Sequence, residues 1–122
     1  MKYSRFPLLR SFQYAFEGVK YALITQRNIK IHFMIASIVS ILAIWLKLSS
    51  IEWGILILTI TSVIVSELFN TSLEKILDSL SVERNNTSKI AKDISAAAVL
   101  FTAIASAIIG TILFLPKLLA KI

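Results

Sequence analysis

The chain has 122 residues, 57% apolar and only 16% charged, with three Gly, two Pro and no Cys. That balance is too apolar for an ordinary soluble domain of this size. It shows none of the short alternating strands of a transmembrane barrel, and it excludes thiol redox chemistry and thiolate metal sites. The net charge of +6 is uneven: six Lys/Arg precede residue 31 against one acid, Glu17, which points to anionic headgroups or a phosphorylated ligand. No nucleic-acid-binding motif is present, and nucleic acid is not expected as a partner.

Taken in order, residues 8–28 read as a basic amphipathic helix on the membrane surface. Pro7 suits its start, and Phe12, Phe16, Val19 and Leu23 recur at helical spacing among Arg10, Gln13, Glu17 and Lys20. It does not read as a cleaved signal peptide, because the first hydrophobic run begins only at Ile31. Three membrane spans follow, over about 31–47, 52–80 and 88–115, in one domain covering residues 1–122. The polar turn from Lys47 to Glu52 lies between Trp45 and Trp53, which serve as interfacial anchors. The segment 81–88 is a polar loop, Ser88 can cap the third span, small residues such as Ala97, Ala105 and Gly110 suit that span to close packing, and Pro116 is expected to end it. The excess of Lys/Arg at the start and in the second loop places both on the cytoplasmic side.

The second span carries the chemistry. Glu67, Asn70, Thr71, Glu74 and Asp78 stand at i, i+3, i+4, i+7 and i+11, so three carboxylates, an amide and a hydroxyl share one helix face. Glu67 follows Trp53 by 14 residues, about 21 Å along the axis, and a carboxylate at that depth costs roughly 2.5–3.5 kcal/mol unless it has a partner or a task. Glu74 and Asp78 emerge beyond it, Lys92 and Asp93 sit across the loop, and Gln26, Arg27 and Asn28 sit where the surface helix turns into the first span. Carboxylates beside lysines where water meets lipid suit phosphoryl transfer, in which Mg²⁺ takes one or two carboxylates and a base accepts the proton of the attacking hydroxyl. No Walker A or kinase glycine-rich loop is present. Glu67 as a proton relay in a small ion carrier is the weaker alternative, because the polar groups gather towards one side rather than across the midplane.

The sequence resembles the prokaryotic diacylglycerol kinase family, which includes the undecaprenol kinases. The likeness rests on Ser11-Phe12 with Ala15 and Gly18, on Arg27-Asn28 followed by Ile31-His32, on Glu52-Trp53, and on Glu67-Leu68-x-Asn70-Thr71-x-x-Glu74 with Asp78. It continues in Ala91-Lys92-Asp93 with the alanines that follow, and in Gly110 with Phe114-Leu115-Pro116-Lys117. The resemblance implies an all-α membrane protein with three spans and a surface helix, assembled as a homotrimer in the bacterial cytoplasmic membrane. It implies transfer of the ATP γ-phosphoryl group to a lipid alcohol, undecaprenol or diacylglycerol, with Mg²⁺. Carried over by position, Glu67 is the general base, Asn70 orients the site, Glu74 binds the metal and the nucleotide, and Lys92 and Asp93 contact ATP, with Tyr14 and Glu83 as further nucleotide contacts. One position departs: just before Arg27-Asn28, where the family usually has a second metal-binding Glu, this chain has Gln26. An amide offers the metal one carbonyl oxygen without charge, so Gln26 also raises the alternative of a non-catalytic membrane protein that keeps the kinase fold.

Overall fold

The computed structural model describes residues 6–80 and 86–122, and among these every regular element is α-helical. Helix α1 (Pro7–Thr25) leads into α2 (Arg27–Trp45), a turn joins α2 to α3 (Ser50–Leu80), and α4 (Asn86–Lys121) returns along α3. Helices α2, α3 and α4 are each long and apolar enough to cross a membrane. At 1.5 Å per residue, the 31 residues of α3 measure about 46 Å, well beyond a hydrocarbon core of about 30 Å.

Local chemistry explains the two breaks at the start of the bundle. Between α1 and α2, Gln26 takes an extended backbone (φ −108°, ψ 115°). Its N–H still donates to the Ala22 carbonyl at 2.8 Å, and its own carbonyl accepts from Lys30 N at 3.3 Å. The junction therefore bends without stranding a backbone group, and the fully buried Ile29 packs just beyond it.

Between α2 and α3, Lys47 adopts a left-handed conformation (φ 56°) that glycine usually supplies. Lys47 N donates to the Ile44 carbonyl and Leu48 N to the Ala43 carbonyl, both at 3.2 Å, which is the Schellman pattern, and Leu48 joins Ala43 in the core. Immediately after, Ser49 and Glu52 form a reciprocal capping box: Glu52 N donates to Ser49 Oγ at 3.2 Å, and Ser49 N donates to Glu52 Oε1 at 3.1 Å.

The principal buried cluster lies at this turn end of the bundle and unites Ala43, Leu46, Leu48, Leu56, Leu113 and Phe114. Pro116 does not end α4, contrary to the sequence expectation; the helix continues to Lys121. One lost backbone hydrogen bond is offset because the added turn packs Leu118 on the core, sets Lys117 3.2 Å from Glu52, and places Lys121 over the Trp45 ring at 4.9 Å. Elsewhere large apolar side chains such as Ile41, Leu58, Phe101 and Ile112 point outward, as they do in proteins whose solvent is lipid. The stripe of Phe12 and Phe16 on α1 is likewise exposed in the single chain.

Candidate active site

The polar face of α3 lies at the end of the bundle opposite the core. Its successive turns reach two different helices. Glu67 is 3% exposed, and its Oε1 lies 3.2 Å from Nε2 of His32 on α2. One turn on, the Asn70 amide is fixed at both ends: Nδ2 donates to Glu74 Oε1 at 3.3 Å, and Oδ1 accepts from Ser95 Oγ of α4 at 2.8 Å. A carboxylate can only accept, so the orientation of the amide follows from its partners. In the last turn, Lys92 Nζ donates to Asp78 Oδ1 at 2.6 Å.

These contacts also set the register of the hairpin. Glu52 pairs with Lys117, Ser66 shares a 2.8 Å hydroxyl–hydroxyl bond with Thr102, Asn70 meets Ser95, and Asp78 meets Lys92, in antiparallel order. A polar bond between helices within a bilayer contributes about 0.6 kcal/mol, so the series matters for alignment more than for stability.

Gln26 is placed by its neighbours. His32, six residues after it, pairs with Glu67, while Tyr21, five residues before it, has Lys75 over its ring at 5.2 Å. Gln26 therefore lies between a residue of α1 that meets α3 at Lys75 and a residue of α2 that meets it at Glu67. Its half-buried side chain makes no capping bond to α2; its amide donates to Thr25 Oγ1 at 3.4 Å. It is not hydrogen-bonded to Glu74.

The remaining candidates lie further out. Asp93 is exposed and pairs with Lys89 at 2.8 Å. Tyr14 is exposed on α1, about 10 Å along the axis from Tyr21. Glu83 lies outside the described residues. Among the described residues no three His, Cys, Asp or Glu form a ready-made cation site. The donors at hand are oxygens, the Glu74 carboxylate bonded to the Asn70 amide. They fit a hard cation that completes its shell with phosphate and water, as Mg²⁺ does, and do not fit a closed zinc cage.

Beside this polar face, an apolar cavity of about 620 Å³ opens between α2, α3 and α4. It runs from His32 past Ala36, Val63 and Ala107 to Phe114. His32 thus touches the cavity on one side and Glu67 on the other. Sequence reading gave this histidine no role beyond its place in the Arg27-Asn28…Ile31-His32 motif. A signal was available, because a buried acid on α3 demands a polar partner, and His32 is a polar side chain of α2 on the same side of the bundle as Glu67.

Comparison with known proteins fits this arrangement. The sequence model of the prokaryotic diacylglycerol kinases matches residues 13–114. The chain is 45% identical over 114 residues to a diacylglycerol kinase of Synechocystis, an alignment that covers 93% of this chain and 65% of that protein. It is 38% identical over 109 residues to the undecaprenol kinase of Bacillus subtilis, covering 89% of each, and 34% identical over 91 residues to a diacylglycerol kinase of Helicobacter pylori, covering 75% of this chain and 71% of that one. With a buried acid, an oriented amide and a further carboxylate in line on one membrane helix, and with this extent of similarity, the chain belongs to the prokaryotic diacylglycerol kinase family, a family of lipid kinases.

Proposed function

We propose that this chain transfers the γ-phosphoryl group of ATP to the hydroxyl of a membrane lipid alcohol, undecaprenol or diacylglycerol, at the polar face of α3. The observation that carries the reading is the position of Glu67: a buried carboxylate where an apolar cavity meets a polar cluster that runs on to Glu74 and Asp78. A lipid tail in the cavity leaves its hydroxyl at the polar end, and Glu67 takes the proton as the oxygen attacks the γ-phosphorus, whose bond to the β,γ-bridging oxygen breaks to release ADP. Asn70, held by Ser95, aims the Glu74 carboxylate. Glu74, with the carbonyl of Gln26, would hold Mg²⁺, which would supply positive charge against the phosphates. Lys92 and Asp93, with Tyr14, are the proposed nucleotide contacts, and Glu83, outside the described residues, is a further one by resemblance alone. A homotrimer in the cytoplasmic membrane, amino terminus on the cytoplasmic side, completes the reading; its supports are the outward-facing apolar side chains and the basic start of the chain.

The test is incubation of the purified protein with labelled ATP, Mg²⁺ and either undecaprenol or diacylglycerol. Label in one lipid identifies the acceptor, and label in neither overturns the reading. Lys92→Ala should raise the KM for ATP about tenfold with the lipid KM unchanged, because the lysine stands at the outer end of the site. A fall in lipid affinity alone would mean that the two substrates are assigned to the wrong ends.

The second reading, a non-catalytic protein with the kinase fold, has one observation in its favour, the amide at Gln26. Gln26→Glu should lower the Mg²⁺ concentration required for half-maximal rate, most visibly at low metal, because a hard dication prefers a carboxylate to an amide. Coincident titration curves would remove Gln26 from the metal site. Inactivity of both proteins would favour the non-catalytic reading.

A further inference from the structure

We infer that His32 is the positioning residue of the catalytic carboxylate: its neutral ring, protonated on Nε2, donates to Glu67 Oε1 and leaves Oε2 for the lipid hydroxyl. The inference rests on the reading of Glu67 as the base.

Three features carry it. Glu67 is nearly inaccessible, its side chain 4% exposed, so a free carboxylate could rotate among several rotamers only by leaving an oxygen without a partner. His32 Nε2 stands 3.2 Å from one of the two oxygens, and that contact ties the carboxylate to a second helix rather than to its own. The ring also belongs to the wall of the apolar cavity, with its side chain 22% exposed, so it fixes the carboxylate at the border that an acceptor hydroxyl must reach.

The choice of residue follows from the chemistry. A Lys or Arg at the same place would orient the carboxylate equally well, but its positive charge would hold the ionised form and weaken it as a base. A neutral N–H donor fixes the geometry and leaves the negative charge available to the proton of the alcohol. Gln in place of His32 can offer a comparable N–H; Leu fills similar space and offers none.

The experiment joins kinetics to a measurement independent of turnover. His32→Leu should lower kcat about 100-fold with the KM for ATP unchanged, the scale expected when a reacting group loses its alignment. His32→Gln should recover activity to within about tenfold of the parent, and His32→Leu added to Glu67→Gln should cost nothing further. Because His32 is the one histidine in the chain, imidazole ¹⁵N spectra of the tag-free protein report on it alone. They should show a protonated Nε2 and a bare Nδ1, with the Nε2 signal shifted in Glu67→Gln. A protonated Nδ1 with bare Nε2, a doubly protonated ring, or a spectrum indifferent to Glu67→Gln would overturn the inference. So would parental kinetics in His32→Leu alongside an inactive Glu67→Gln. A fully active Glu67→Gln would instead defeat the reading of Glu67 as the base.

Discussion

Glu67→Gln should reduce kcat about 10³- to 10⁴-fold while ATP binding and helix content stay at the parental level. The size follows from the upper range for loss of a positioned general base, and the selectivity follows from the surroundings. An amide of the same volume keeps an oxygen for the bond to His32, so the packing around a side chain only 3% exposed is undisturbed. What disappears is the group able to accept the acceptor's proton. Initial rates with labelled ATP and saturating lipid, beside calorimetric titration of nucleotide, measure both quantities. Turnover within tenfold of the parent would reduce Glu67 to a structural tie between α2 and α3.

Glu74→Gln is expected to act through the metal. Its rate at fixed Mg²⁺ should fall about 100-fold or more, and part of the loss should return as Mg²⁺ is raised. The bond to Asn70 survives, because the amide oxygen can accept from Nδ2 where the carboxylate did. The negative charge does not survive, and among the described residues no group of three acidic or histidine ligands stands ready to replace it. Adding Gln26→Glu should restore part of the Mg²⁺ response of Glu74→Gln if both side chains serve one ion. A rate loss that no metal concentration relieves would place Glu74 in nucleotide or protein contacts instead.

The parts of this site that were legible in the sequence are those fixed by helical periodicity. Spacing alone put Glu67, Asn70, Glu74 and Asp78 on one face, and an antiparallel return brought Lys92 back towards Asp78, which it meets; the expected loop over 81–88 was too long, since α4 begins at Asn86 and Ser88 lies inside its first turn rather than capping it. Contacts between helices that are distant in sequence were not legible. A lone histidine in an apolar run has no period to reveal its direction, so the partnership of His32 with Glu67 emerged only from the register of α2 on α3. Ser95 was read as one small residue among several, although it holds the Asn70 amide. The core at the turn end was hidden for a different reason: in lipid, apolar residues face solvent and protein alike, so hydropathy cannot separate them. Pro116 was misread because the rule that proline stops a helix is local, whereas the turn beyond it is held by Leu118 and Lys117.

The placement of the core has a mechanical consequence. At the turn end, α3 and α4 are held together by the Glu52–Lys117 pair and the packing around Phe114, and the Schellman turn and the Ser49–Glu52 box fix the start of α3 against the end of α2. At the other end they are joined by polar contacts, the outermost of which, Lys92–Asp78, is open to water and of the kind that contributes about 1 kcal/mol or less. The helix pair is thus firmly packed at one end and, at the end where the chain passes from α3 to α4, held across the pair by polar contacts of small energetic worth. Local fluctuation is therefore concentrated at the polar end, where the candidate site lies, while the packed end keeps the helices in register.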